Sequence, residues 1–305
     1  MIPLDSSAIT FGGIEAIRSY EDASTAIGRL DAAGRLATAG LRDLLVLRCI
    51  ATAVGATHSG MIALVRADGE GPASHRAYAD ALREGAARAR GGALPSVAYL
   101  HTLLRLPGDG LPVGPIDDLL RDVHERTPPV LKAALAALAV RAASQVDPEQ
   151  THAPATVLPA LVVALVLCAG GATTDAWLTL PAPPVGAGYS LADTFTALAR
   201  EARAAAQGLT AARGLCDADE SRVRAAFGRA AYSALDVLTL LRAAIVITIR
   251  DAARTLGLTP PTAGAAVARL VELGIAREVT GKARSRAFAY EGMVKALAPP
   301  IAADA

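Results

Sequence analysis

The sequence predicts a mostly helical body followed by a small α+β unit near the C-terminal end. Three observations predict it. Apolar residues make up 52% of the 305 residues while aromatics supply only 4%. The excess is alanine, which favours closely packed helices over strands built from aromatic and β-branched side chains. Glycines and prolines fall where they would end or open helix-length segments. Only past Ile245 does the pattern change, to two short helical segments and a basic ribbon, REVTGKARSRAFAY. The length alone suggests two domains and a large core.

From Ile14 to Val65 the pattern is helical, and ADGEGPAS then reads as a loop. A helix is expected from His75 to Arg90, ended by Gly91 and Gly92. Pro95 opens a shorter one, PSVAYLHTLLRL, which stops at PGDG. Pro128 and Pro129 sit where proline favours a helical first turn, before PVLKAALAALAVRAASQ. The polar connection VDPEQTHAPAT leads into the apolar LPALVVALVLCAGG. After the loop LPAPPVGAG, Ser190 caps SLADTFTALAREARAAAQGL, and a separate helix is expected from Asp219 to Leu241, with DADE at its start. There is no heptad run and no internal repeat.

The formal net charge of +1 excludes a globally steered polyanion binder. Charge is uneven, however. From Arg242 to Leu297 nine Lys or Arg face four Asp or Glu, a net +5, which leaves −4 elsewhere. Lys132, Lys282 and Lys295 are the only lysines among thirty basic residues, a bias that a GC-rich bacterial coding sequence produces. Cys49, Cys168 and Cys216 lie far apart with no CxxC, so free thiols in a reducing cytoplasm are expected. No signal peptide is expected, because no basic segment precedes an apolar run. The longest apolar stretch, 157–172, contains Pro159 and is too short for a bilayer span, so it reads as a core helix. His101 and His124 lack ligand spacing and read as packed or surface histidines; no metal and no cofactor are expected. Trp177 and Tyr189 flank the LPAPP loop and read as core anchors.

The segment Ile245–Tyr290 reads as a winged helix-turn-helix: TIRDAARTLG, the breaker LTPP, TAGAAVARLVELG, then the ribbon. Its second helix is expected to expose Thr262, Ala263, Ala266 and Arg269. Only Arg269 is of a base-reading type, and it stands late in the helix. Lys282, Arg284 and Arg286 alternate at the ribbon tip, beside Thr280, Gly281 and Ser285, where they can meet phosphates. DNA contact and packing against protein, including a second copy of the chain, both remain open for this unit.

The run LGLTPPTAGAAVARLVELGIAREVTGKARSRAFAYEGMVKAL resembles the C-terminal module of bacterial Fic proteins. AIGRLDAAGRL with ATAVGATHSG, then SHRAYADALREGAARA, LPSVAYLHTLLR and PPVLKAALAALAVRAA, follow that family's order. The resemblance implies a Fic-like helical bundle, divided here as an N-terminal segment 1–70, a core 71–218 with its active loop at 146–157, and a linker helix with winged module at 219–297. It also implies transfer of AMP from ATP to a target hydroxyl. The family's loop reads His-Pro-Phe-x-Asp/Glu-Gly-Asn-Gly-Arg. Its histidine takes the hydroxyl proton, its acid holds a metal, and its turn and arginine seat the phosphates.

Here that stretch is VDPEQTHAPATVLPAL, with His152 but no glycine, asparagine or arginine; the whole chain has no asparagine. Counting back from Gly171 puts Glu149 at the histidine position, and aligning on His152 requires a deletion, so neither register restores the motif. Gly55 or a neighbour also stands where the family's self-inhibitory glutamate would be. Phosphoryl transfer depends on positioning and charge neutralisation, and both sources are missing. The expectation is therefore a degenerate Fic-like, cytoplasmic binding or regulatory protein, a pseudoenzyme, working through its C-terminal module. Two enzyme alternatives stay open: a small-molecule site in the former nucleotide cleft using His152, Glu149 or Asp147, and residual adenylylation. No membrane partner is expected.

Overall fold

The computed structural model describes residues 13–53, 60–61, 73–91, 127–144, 162–180, 190–281 and 285–299. Its elements in chain order are α1 (Gly13–Arg35), α2 (Ala39–Ala53), α3 (Ala73–Arg90), α4 (Pro129–Ser144), α5 (residues 162–169), α6 (Leu191–Phe227) and a 3-10 turn (Gly228–Ala231). Then come α7 (Tyr232–Ala244), β1 (Val246–Thr248), α8 (Ile249–Leu256), α9 (Pro260–Glu272), β2 (Arg277–Glu278), β3 (Ala287–Ala289) and α10 (Glu291–Leu297). Among the described residues the fold is mostly helical with one small sheet, as the composition and the change of pattern past Ile245 predict.

The spine is α6, whose 37 residues span about 55 Å at 1.5 Å per residue. It starts on a capping box in which the Ser190 hydroxyl accepts from the Asp193 backbone while Asp193 accepts from Ser190 N–H. Sequence reading places two helices here, with the second beginning at Asp219. The structure has one continuous helix instead. Alanines and long side chains fill the interval, and Gly208 and Gly214 are tolerated because neither needs a left-handed backbone. Asp219 is no cap: it is buried mid-helix, where it accepts a 2.7 Å hydrogen bond from the Tyr290 hydroxyl. The break comes at Gly228, whose φ of +48° suits glycine.

Helix α1 runs alongside α6 in the same direction. Tyr20 meets Phe195 edge-on at 5.4 Å and Asp22 pairs with Arg203, so contacts advance together along both helices. Small buried residues, Ala23 and Ala26 on one side and Ala199, Ala202 and Ala205 on the other, allow close approach. Helix α5 is buried from Val162 to Cys168, which agrees with its reading as a core segment. No helix among the described residues is long and apolar enough to cross a membrane. Trp177 is a core anchor, as expected, with its ring lying against Gly34. All three cysteines are free.

Strands β1, β3 and β2 form one antiparallel sheet in that spatial order, with Thr248 opposite Ala287 and Glu278 opposite Phe288. Several contacts tie this C-terminal unit to the spine, among them the Arg222 guanidinium donating to the Leu273 carbonyl. Gly208 lets α6 approach the Ala296 carbonyl of α10, and Tyr290 reaches Asp219.

Candidate functional site

Helices α8 and α9 are set by local signals that the sequence carries plainly. Thr248 caps α8 in a second capping box with Asp251, and Gly257 ends it in the left-handed region at φ +64°. Thr259 then caps α9, with Pro260 and Pro261 in its first turn. Ala263, Ala266, Val267 and Leu270 form the buried face of α9. Two residues expected on the outside, Ala263 and Ala266, are thus fully inside. Their small side chains at helical spacing fit the contact with α7 and α8. The outer face carries Thr262, Ala265, Ala268 and Val271.

Thr262 is exposed as expected, but its hydroxyl lies 2.8 Å from that of the capping Thr259. Arg269 is not displayed outward. It donates to the Ala230 carbonyl at 2.6 Å and stacks 5.5 Å from the Phe227 ring. It therefore clamps the 3-10 turn at the end of α6. The outer face of α9 is left without a free Arg, Lys, Asn or Gln, the side chains that read base edges.

The tip between β2 and β3 is organised by Glu278. Its carboxylate accepts from the Thr280 hydroxyl, from Thr280 N–H at 2.8 Å and from Gly281 N–H at 3.0 Å. Those hydrogen bonds hold its carboxyl below the ordinary value, with Arg286 assisting. The backbone donors of Thr280 and Gly281 are thus already filled by the protein's own anion. Ser285 takes a positive φ of 54° just before Arg286. Arg286 is exposed, with its guanidinium 5.8 Å from the Phe288 ring. Lys282 and Arg284 lie outside the described residues.

The strand register adds a residue that sequence reading missed. Because Thr248 pairs with Ala287, the β1–α8 junction and the start of β3 share one end of the sheet. Arg250 therefore lies at the same end as Arg286. It is exposed, and among the described residues no acid or carbonyl engages it. The signal was available, since Arg250 follows the cap Thr248 by two residues, but it needs the β1–β3 pairing to become meaningful. The neighbouring arginines are occupied: Arg254 pairs with Asp251 at 2.9 Å and Arg277 with Glu291 at 3.0 Å. Of the five residues expected to touch nucleic acid, Arg286 is presented outward and makes no ion pair among the described residues, although its charge acts on Glu278, while Arg269 is committed elsewhere.

His152, Glu149 and Asp147, with the whole loop 146–157, lie outside the described residues. Among those described, no group of His, Cys, Asp and Glu could hold a metal ion. No family model matches the sequence, and no curated protein matches it.

Proposed function

We propose that the chain is a binding protein whose residues 245–290 form a winged helix-turn-helix that grips nucleic-acid backbone without reading sequence. Its body is Fic-like, and the expected nucleotide loop lacks the groups that would seat a triphosphate. The reading rests on one observation: Arg250 and Arg286 stand exposed at one end of the sheet, neither in an ion pair among the described residues, while Arg269 is turned away. Phosphate contacts position a protein and base contacts specify, and only the first kind has side chains available here.

The test is fluorescence anisotropy with a mixed-sequence DNA duplex across a salt series. Binding should be insensitive to sequence, and log K should fall linearly with log salt concentration as counterions are released. Absence of binding at low salt by a folded protein would overturn the proposal. The exposed Ala265, Ala268 and Val271 face of α9 would then mark the module as a protein contact.

A further inference from the structure

Helix α1 packs on the first part of α6. Beyond Ala212 only Asp219 and Val223 of α6 are buried. The opposite side of this stretch carries Ala211, Gly214, Ala218, Ser221 and Ala225, all exposed. They succeed one another at alternating steps of three and four residues, so they line one side of the helix. None has a side chain larger than that of serine, so a second helix can come close along the whole line.

A row of small side chains names no partner by itself, but the charges beside it do. Asp217 and Arg224 are both exposed and flank the row on the same side, two helical turns apart. Arg224 is held by Glu220 through Nε at 3.3 Å and one terminal nitrogen at 2.8 Å, while its other terminal nitrogen has no partner among the described residues. The Asp217 carboxylate makes no hydrogen bond or ion pair among the described residues, although its charge acts on Cys216. An acid and a base so placed on one flank are complementary to the same flank of an identical helix run the other way.

We propose that this part of α6 pairs with the same part of a second copy of the chain, antiparallel about a two-fold axis. Ala218 of each copy then packs on Ser221 of the other, and Gly214 on Ala225. In that register Asp217 of each copy meets Arg224 of the other. A shift of two turns one way would set Asp217 against Asp217, and a shift the other way Arg224 against Arg224, so charge admits a single alignment. A parallel pair would need Arg222 for Asp217, and Arg222 is already engaged by Asp219 at 2.6 Å and by the Leu273 carbonyl. The overlap from Ala211 to Gly228 is about 25 Å long, a contact small enough that association is reversible. It lies on α6 and does not depend on nucleic-acid binding by the sheet end.

Sedimentation equilibrium of the full chain across a concentration series tests the proposal. The wild type should dimerise reversibly. Asp217→Arg alone and Arg224→Glu alone should each weaken association by about tenfold or more, because each sets like charges together at both ends of the contact. An equimolar mixture of the two variants should regain it, since every facing pair is then opposite in sign. Ser221→Arg changes an exposed side chain bonded only to its own helix, and it should abolish the dimer even where a charge reversal disturbs α6. A wild type still monomeric at about 100 µM would overturn the proposal and leave the face to a different protein. So would a single reversal or Ser221→Arg that dimerises as the wild type does, or a mixture no tighter than its parts.

Discussion

Arg48 lies 3.0 Å from Glu201, and both side chains are buried. The same guanidinium donates to the Leu297 carbonyl at 3.1 Å and the Ala298 carbonyl at 2.9 Å. One cation from α2 thus holds the spine and the otherwise unpaired end of α10 together. Burial lowers its pKa from the ordinary guanidinium value, and Glu201 opposes that shift. Arg48→Met would strand a buried carboxylate and two carbonyls, and it should cost about 3–5 kcal/mol in urea unfolding. Removing both charges, with Arg48→Met and Glu201→Leu together, should recover part of that loss. A double variant no more stable than the single would show that the pair is not the source.

Tyr290 and Asp219 make the second tie. Burial raises the Tyr290 phenol above its ordinary value of 10, and the hydrogen bond to Asp219 adds to the shift. The unfolded chain therefore ionises this group first. Its contribution to stability is whole below about pH 10 and is lost as pH rises through the folded value. At neutral pH Tyr290→Phe should cost about 1.5–3 kcal/mol, since the bond is buried and its acceptor is a carboxylate. Above about pH 10 the wild type should lose stability more steeply than the variant. Parallel alkaline limbs in urea titrations would rule the linkage out.

Two glycines in α6 should respond with opposite sign to the same change. A Cβ on Gly208 would sit 2.5 Å from the Ala296 carbonyl oxygen, a backbone atom that cannot swing aside. Gly208→Ala should therefore destabilise by about 1–3 kcal/mol even though alanine is the better helix former. Gly214 has nothing within 4 Å of the same position. Gly214→Ala should stabilise by up to about 1 kcal/mol. Thermal melts of the two variants measure both, and a shift of the same direction in each would contradict the close approach of α6 to α10.

What the sequence made legible follows from how local each signal is. The capping residue Ser190 acts over three or four residues and its helix begins where it stands; Thr248, Thr259 and Gly257 act over the same short range, although the sequence reading marked only the breaker LTPP there. The alternation of breakers and apolar runs likewise placed α4 and the buried α5. Asp219 was misread because its role is not local. Its partner Tyr290 lies 71 residues away, and an acidic cluster resembles a helix start until that partner is known. The orientation of Arg269 and the burial of Ala263 and Ala266 were not legible for the same reason. Which face of α9 turns inward depends on α7 and the 3-10 turn, to which a helical pattern so rich in alanine gives no direction. Arg250 became a candidate only through the β1–β3 register.

The placement of three arginines separates backbone contact from packing within one module. Arg269→Ala removes the hydrogen bond to Ala230 and the cover over Phe227, so it should lower stability by about 1–2 kcal/mol. It should leave the salt dependence of DNA binding unchanged, because its guanidinium is not free to meet phosphate. Arg286→Ala and Arg250→Ala should do the reverse. Each leaves the melting temperature nearly unaltered and reduces the slope of log K against log salt by about 0.9, the value for one lost phosphate contact. Affinity should fall equally on unrelated duplexes, since the outer face of α9 presents no free side chain of a base-reading type. A loss confined to one sequence would mean that α9 reads bases after all. An unchanged slope in both variants would remove the sheet end as the contact surface.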